Sequence, residues 1–362
     1  MKILFVKLFK SYTETYISRE MLSAGHEVIE ITYYTPEDVY NDEALRGKVY
    51  ADIKSHDPGI IFSVNYWPVV ARACKDASRR YVSWSYDSPQ NLPKTDTMEY
   101  DTNTIYLFDR EEVSIYNKKG INTVHHLPLA TVAESLPQPS YTHDITFLGQ
   151  FYDSMLPSLT EIMSPYDRGM IEAYVSAQQK IYGAYILDEL INEELTDRIN
   201  AHYRSLSEKA IQITPAELSY ACATYITRLD RLTLKEALNV YCPTGIDYEK
   251  DMRPLFHSSK INLNPILRII RSGIPLRALD IMGSNAFLLS TWQPELAEHF
   301  TDGEDCVMYE SLEDAVLKAR FYLENDSERE RIANNGYERV KRDFSYRDRI
   351  ETILGGPSPL CA

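Results

Sequence analysis

The sequence is poor in several features that would assign a protein class at once. Its five cysteines include no CxxC pair and no histidine at metal-ligand spacing, so neither a disulfide scaffold nor a zinc module is indicated. No run approaches the roughly 18 apolar residues of a membrane-spanning helix. The N-terminal MKILFVKLFK has too short an apolar part for a signal peptide and lacks a cleavage-site pattern. These absences predict a cytoplasmic protein with free thiols.

Basic residues are also scarce. The chain has 38 Lys and Arg against 53 Asp and Glu, a formal net charge of −15. Nucleic acids and anionic membranes bind basic surfaces, so general binding to either is not expected. The length of 362 residues predicts two domains of ordinary size, each with its own hydrophobic core.

The N-terminal part of the chain shows the pattern of a parallel α/β domain. A buried strand at residues 2–7, a helix at 12–24 ended by Gly25 and a strand at 26–31 make a βαβ unit. Further strands are predicted at 59–64, 80–85 and 103–108. The first strand-to-helix turn has no GxGxxG, so a dinucleotide site is not supported there.

A proline-rich linker, LeuProGlnProSer at 136–140, separates the two predicted domains. We predict an N-terminal Rossmann-like domain at 1–138 and a C-terminal domain at 139–340. The second domain begins with a strand at 144–150 and contains a helical segment at 165–238, in which ThrProAlaGlu at 214–217 predicts a helix start with a capping box. A further strand is predicted at 239–242. Residues 341–362 form a C-terminal segment able to cross back to the first domain.

The stretch from Ser258 to Ala286 carries the strongest functional signal. Between Met252 and Leu279 there is no Asp or Glu, which is unusual in so acidic a chain. Its polar side chains suit a sugar or ribose, and the turn Gly283–Ala286 has small residues whose backbone N–H groups are able to cradle a phosphate. We therefore predict a nucleotide-sugar diphosphate site. The five cations between Met252 and Leu279 are Arg253, Lys260, Arg268, Arg271 and Arg277, and the polar residues of the stretch are Asn262, Asn264, Ser272, Asp280 and Asn285.

Three residues outside that cation-rich run each allow two interpretations. Asp87, in TrpSerTyrAspSerProGln after a strand, is either a general base for a hydroxyl nucleophile or the capping residue of an Asx-turn. Gly149 either lets a backbone approach a diphosphate or is an ordinary strand-to-loop glycine. Glu295 either matches a helix dipole at the surface or binds sugar hydroxyls. His125 and His126 close another strand, where burial is favoured over a role in a cleft.

Taken in order, these motifs resemble the spore-maturation CgeB-like glycosyltransferases almost from end to end. The resemblance rests on TrpSerTyrAspSerPro, AspIleThrPheLeuGlyGlnPheTyr, SerLysIleAsnLeuAsn, ArgSerGlyIleProLeuArgAlaLeuAspIleMetGly, GlnProGluLeu and AsnAsnGlyTyrGluArgVal. It implies a GT-B fold of class α/β, with two Rossmann-like domains facing a central cleft and a helical insertion in the C-terminal domain. One departure is the turn GlySerAsnAla, where relatives usually carry a Gly-rich turn such as GlyCysGlyGly.

The resemblance also implies an activity in bacterial glycan or glycoprotein biosynthesis. A sugar would pass from a nucleotide-diphosphate donor to a hydroxyl-bearing acceptor such as a carbohydrate or a protein in the interdomain cleft. By analogy with the fold, Arg277 would clamp the diphosphate, Asp280 would hold the ribose and the turn Gly283–Ala286 would cradle the phosphates. Asp87 is the predicted catalytic residue because of its position after a strand. An i, i+3 salt bridge between Arg277 and Asp280 is the structural alternative. The predicted donor-binding set is Gly149, Lys260, Asn262, Asn264, Arg268, Arg271, Arg277, Asp280, Gly283, Ser284, Asn285 and Glu295.

No cofactor is expected beyond the nucleotide-sugar co-substrate. Because the chain has no Asp-x-Asp motif, no metal site is predicted and Arg277 would stabilise the leaving diphosphate instead. Two other functions stay open. A nucleotide-sugar epimerase of the same fold would turn over donor alone, and a non-catalytic protein would bind nucleotide or a partner without transfer.

Overall fold

The computed structural model describes residues 1–90, 92, 94–134, 140–207 and 209–355. The chain forms two compact units. The first comprises residues 1–133, 273–279 and the segment from Val340 on, and the second comprises the remaining residues up to Arg339. The predicted linker, apart from Ser140, and the predicted boundary at 138/139 lie outside the described residues. The domain limits inferred from the sequence therefore stay a prediction.

The first unit contains a six-stranded, fully parallel sheet with the order β2-β1-β3-β4-β5-β6. The inner strands β1 and β3 are near-continuous apolar runs, as is typical of parallel strands covered by helices on both faces, whereas β2 at the edge alternates polar and apolar residues. The strands are β1 (Lys2–Lys7), β2 (Glu27–Thr32), β3 (Ile60–Val64), β4 (Arg80–Ser85), β5 (Asn103–Leu107) and β6 (Val124–His126), with helices α1 (Tyr12–Ser23), α2 (Glu43–His56), α3 (Pro68–Ala77) and α4 (Arg110–Lys118) between them.

Local sequence accounts for the bounds of α1. The Ser11 side chain accepts a hydrogen bond from the Thr13 backbone N–H and so caps the N-terminus. Gly25 follows the last turn with φ of 79°, a left-handed conformation that glycine adopts without a steric cost. The predicted helix at 12–24 and strand at 26–31 are thus confirmed to within one residue.

The end of the described chain packs with this first unit. Helix α15 (Tyr346–Gly355) lies against α1. Arg349 Nε donates to the Pro128 carbonyl at 2.9 Å, and the Thr131 N–H donates to the Phe344 carbonyl at 3.0 Å. The C-terminal segment is therefore held by both helix packing and backbone hydrogen bonds.

The second unit contains a four-stranded parallel sheet with the order β10-β9-β8-β7. Its strands are β7 (His143–Thr146), β8 (Ser259–Asn264), β9 (Leu288–Thr291) and β10 (Val307–Tyr309). Helices α10 (Met252–His257), α12 (Pro294–His299) and α13 (Leu312–Glu324) connect or follow them, while α11 (Leu276–Gly283) and α14 (Asp326–Asp343) belong partly to each unit. Two parallel sheets with helices on their faces confirm the predicted α/β class.

A helical insertion lies between β7 and β8 and has its own apolar core. The pattern predicted as helical over 165–238 is divided into four helices, and a further short helix precedes it. Thr214 and Glu217 form the predicted capping box. The strand predicted at 239–242 is wrong, because only one bridge, Tyr241 to Thr146, is formed. The helices are α5 (Leu156–Glu161), α6 (Pro165–Lys180), α7 (Leu187–Leu190), α8 (Glu193–Leu206) and α9 (Pro215–Leu238).

Within the described ranges, no helix has the length and apolar character needed to cross a membrane.

Candidate functional site

The loops that follow the strands of the second unit lie along one edge of its sheet. Because β7, β8 and β9 are parallel neighbours, their carboxyl ends meet there. Open α/β sheets bind ligands outside this edge. The loops in question are the one from Phe147 after β7, the one from Pro265 after β8 and the one from Trp292 after β9.

Two arginines of α9 hold the first two of these loops. Arg231 donates from Nε and Nη2 to the Pro265 carbonyl at 3.1 and 2.7 Å, and from Nη1 to the Gln150 carbonyl. Arg228 donates from Nη1 to the carbonyls of Phe151 and Tyr152 at 3.2 and 3.0 Å. The insertion therefore fixes the loops after β7 and β8 through their backbone carbonyls.

Arg268, predicted to bind the donor, is instead buried in an ion pair with the insertion. Its guanidinium lies 2.8 Å from the Asp230 carboxylate, with side-chain exposures of 7% and 6%, and 4.0 Å from the ring centre of Tyr182. Burial acts to lower the pKa of Arg268, but the Asp230 carboxylate outweighs it and raises that pKa. The side chain stays charged and faces protein, so its predicted phosphate contact conflicts with the structure.

Arg271 and Lys260 are also paired with carboxylates from elsewhere in the chain. Arg271 Nη2 lies 2.6 Å from Asp188 of α7, and Lys260 Nζ lies 2.6 Å from Asp144 of β7. Lys260 is the second residue of β8 and so lies at the amino end of the strand, away from the ligand-binding edge. Its predicted role in donor binding is therefore not supported by its position.

The five cations between Met252 and Leu279 differ in whether their charge is already paired within the protein. Arg253 lies 3.6 Å from Asp280, and both side chains are buried. Arg277 is half-buried in the first turn of α11, and its guanidinium has no hydrogen-bond, ion-pair or aromatic partner among the described residues. The Arg277–Asp280 salt bridge weighed as an alternative is not formed. Arg277 alone of these five cations keeps its charge available.

The turn at Gly283–Ala286 differs from the predicted phosphate cradle. It ends α11 and does not begin a helix. The N–H groups of Ser284, Asn285 and Ala286 donate to the carbonyls of Asp280, Met282 and Ile281 at 3.1, 3.0 and 3.3 Å. These bonds satisfy the last carbonyls of the helix, as C-terminal capping requires, so the turn has no spare N–H groups for an anion.

Asn285 adopts a backbone conformation in this turn that glycine most often supplies. Its φ is 50°, in the left-handed region that asparagine enters more readily than most residues. We expect Asn285→Ala to lower the free energy of unfolding by about 1 kcal/mol, and Asn285→Gly to change it by much less. Equilibrium urea unfolding of both variants measures this, and equal stability of Asn285→Ala and the unchanged protein would contradict it.

The other predicted donor residues have structural partners or lie at the edge itself. Asn262 is buried and donates to the carbonyls of Phe256 and Phe287 at 3.0 and 3.3 Å. Asn264, the last residue of β8, donates to Ser290 Oγ at 3.0 Å. Glu295 is fully buried and accepts from Ser272 Oγ at 2.7 Å, so it is neither a surface acid nor open to a sugar. The strand predicted at 144–150 ends at Thr146, so Gly149 lies in the loop after β7, and its approach to a diphosphate stays a prediction.

At the carboxyl edge of the first unit, Asp87 is exposed after β4. Its Oδ2 accepts from Asn65 Nδ2 at 2.6 Å, while Asn65 Oδ1 accepts from the Tyr86 N–H at 2.8 Å. No described backbone N–H donates to the Asp87 carboxylate, so the Asx-turn is not formed. Asn65, whose φ is 58°, therefore orients Asp87 across the ends of two adjacent strands.

Two buried carboxylates that sequence reasoning missed anchor the same loop. Glu112 accepts from Ser88 Oγ at 2.7 Å and from the Gln90 N–H at 2.8 Å. Asp109 caps α4 through the N–H groups of Glu111 and Glu112. The AspArgGluGlu run after a predicted strand was a capping signal that would have found them. His125 lies on β6, the neighbour of β5 in the sheet. It is half-buried, and burial lowers its pKa.

A further buried acid lies near the N-terminus of α1. Glu14, in the first turn of α1, is 5% exposed, and burial raises the pKa of its carboxyl to about 7. Lys7 and the Ser11 backbone act to lower that pKa, and Glu30 acts to raise it further. Lys7 Nζ itself lies 2.5 Å from Glu30. A carboxyl of this kind is a source of pH-dependent stability.

Comparison with known proteins gives a family match for the C-terminal part of the chain and structural similarity over almost all of it. Residues 225–355, just over a third of the chain, match the family described as Glycosyl transferase-like. No curated protein matches the chain. The matched region includes α11 with Arg277 and Asp280.

Solved structures resemble the chain over almost its whole length. The HepE protein of Anabaena in complex with UDP-glucose has a TM-score of 0.57 at 11% identity, covering 98% of this chain and 99% of that one. Sucrose-phosphate synthase from Thermosynechococcus elongatus has a TM-score of 0.56 at 11% identity, covering 98% and 97%. The lipopolysaccharide outer core galactosyltransferase WaaB, in its apo form, has a TM-score of 0.53 at 12% identity, covering 98% and 99%. At these identities the likeness concerns the fold, and the chain has the two-domain, Rossmann-like GT-B fold.

Proposed function

We propose that the chain is a glycosyltransferase that moves a sugar from a nucleotide-diphosphate donor to a hydroxyl-bearing acceptor. The match of residues 225–355 to the Glycosyl transferase-like family supports this, as does the fold shared with the HepE protein, whose structure contains UDP-glucose. The CgeB-like subfamily remains our assignment from the motifs quoted above.

The observation that carries the proposal is the unpartnered charge of Arg277. It lies in the first turn of α11, where the partial positive charge of the helix N-terminus adds to that of the guanidinium. A guanidinium binds two phosphate oxygens at once, which suits a diphosphate. Arg268, Arg271 and Lys260 already have carboxylate partners and are not assigned to the donor.

In the proposed transfer reaction, these groups have the following roles. Asp87, held by Asn65, accepts the proton of the acceptor hydroxyl as its oxygen bonds to the anomeric carbon. The bond from that carbon to the diphosphate breaks, and Arg277 stabilises the negative charge on the departing oxygen. A ribose contact at Asp280 stays a prediction, since that carboxylate is 2% exposed and paired with Arg253.

Calorimetry with UDP, GDP, TDP, CDP and their common sugars tests the donor site. We expect one nucleotide to bind saturably and Arg277→Ala to weaken it by about 1.5 to 3 kcal/mol, because a charged hydrogen-bond donor to phosphate is lost. Arg320→Ala is the matched control, as Arg320 is exposed on α13 and has no described partner either. Equal affinity of Arg277→Ala and the unchanged protein would remove the diphosphate assignment.

Incubating the chosen donor alone and with acceptor candidates separates the alternatives. A transferase releases nucleotide faster when acceptor is added, and Asp87→Asn slows that release without weakening donor binding. An epimerase alters the donor without acceptor, and a non-catalytic protein leaves it unchanged. Either of the last two results would replace the transferase proposal.

A further inference from the structure

A recess lies at the carboxyl edge of the second unit, beside the outer strands β9 and β10. It has a volume of about 390 Å³. Trp292 follows β9 and Glu310 follows β10, so both come from strand ends that lie side by side. The remaining lining residues are Ala297, Phe300, Thr301, Asp302, Met308 and Lys318. The recess thus combines an indole, aliphatic and aromatic carbon, two carboxylates, a hydroxyl and one ammonium group.

The Trp292 ring is held in place by the insertion. Gly183 has φ of 76° and lies so close that a Cβ there would be 2.2 Å from Trp292 Cζ3. The Trp292 N–H donates to the Tyr309 carbonyl at 2.9 Å, which fixes its backbone to β10. A tryptophan packed against the insertion and held through its backbone loses little conformational entropy when a ligand stacks on its ring.

The charges of the recess exclude an anionic ligand. Lys318 Nζ lies 2.9 Å from Asp314 and 4.0 Å from Asp302, so its charge is already balanced. Asp302 Oδ1 accepts from the Met308 N–H at 2.7 Å, and the Asp302 side chain is 50% exposed. Glu310 is exposed, and no described residue donates to its carboxylate. A nucleotide or phosphate would be repelled by these carboxylates.

We propose that this recess is a saccharide-binding subsite, separate from the donor site at Arg277. A pyranose has an apolar C–H face that suits the indole of Trp292 and hydroxyl donors that suit the carboxylates of Asp302 and Glu310. A ligand pocket of this kind needs an apolar wall and a few convergent polar groups, and the recess provides both. The chain would hold a sugar or a glycan here without acting on it.

Fluorine NMR of the protein labelled with 5-fluorotryptophan tests the subsite, since the chain has three tryptophans and hence three signals. Trp292→Phe identifies the Trp292 signal. The probes are D-glucose, D-galactose, N-acetyl-D-glucosamine and maltotriose, raised to about 0.1 M because open recesses bind weakly. We expect at least one probe to shift the Trp292 signal saturably and to leave the signals of Trp67 and Trp84 unchanged.

Substitutions then assign the response to the recess. Glu310→Gln should weaken the responding saccharide by about tenfold, because a charged acceptor is lost. Glu313→Gln, an exposed acid in the first turn of α13 outside the recess, should leave its affinity unchanged. Arg277→Ala should retain the saccharide response, so loss of diphosphate binding and loss of saccharide binding are separate results. No shift with any probe, or the same affinity in Glu310→Gln, overturns the subsite.

Discussion

Replacing Asp230 by alanine is expected to lower the free energy of unfolding by about 3 to 5 kcal/mol, because it leaves a buried guanidinium without a counter-charge. Arg268 is 9% exposed, so water does not replace the lost carboxylate. The loop after β8 is bound to α9 through this pair and through the bond from the Arg268 N–H to Thr227 Oγ1 at 3.0 Å. Equilibrium urea unfolding followed by circular dichroism measures the loss.

Asp188→Ala is the matched control for this substitution. It removes the partner of Arg271, in the same loop and from the same insertion, but the Asp188 side chain is 38% exposed. Exposed pairs contribute about 0.2 to 1 kcal/mol, so the two alanine variants should differ clearly. Similar losses in both would mean that burial of the Arg268–Asp230 pair does not set its energy.

Glu14→Gln is expected to stabilise the protein at about pH 8 by on the order of 3 kcal/mol, since it removes a charge whose burial is costly. The pKa of Glu14 is about 7 in the folded chain, against an ordinary value of 4.5. The folded state therefore binds this proton more tightly, and the resulting stability is complete below about pH 4.5 and is lost as the pH rises through 7. The expected gain of the variant disappears below that window.

The measurement compares urea midpoints of Glu14→Gln and the unchanged protein across this range of pH. Glu27→Gln is the control, since Glu27 lies at the start of β2 with a side chain 63% exposed. Its difference from the unchanged protein should stay within about 1 kcal/mol throughout this range, because an exposed ion pair contributes little. A gain for Glu14→Gln that is the same at low and high pH would show that the carboxyl does not titrate in the window.

Local sequence predicted the regular elements well. The apolar runs gave β1, β4 and β5 with correct starts, and the ThrProAlaGlu signal placed the start of α9. The pattern over 165–238 did not reveal the breaks between α6 and α9, because apolar residues at helical spacing continue through the connections and pack in the same core. The residues after α9 favoured a strand, but only Tyr241 finds a strand partner.

The site was harder to predict because charge balance is a tertiary property. Arg268, Arg271 and Lys260 stand in an acid-free stretch, yet Asp230, Asp188 and Asp144 reach them from distant parts of the chain. The sequence shows the excess of positive charge and not its neutralisation. The turn after α11 was misassigned for a related reason, since small residues suit a helix end as well as a phosphate cradle.

The bonds from Arg228 and Arg231 to backbone carbonyls have a consequence for motion. The loops after β7 and β8 cannot open on their own, because their carbonyls are hydrogen-bonded to side chains of α9. Their amide protons should exchange with solvent in step with those of α9, as one cooperative unit. The flexibility of these two loops would then be set by the stability of the insertion and not by their own length or composition.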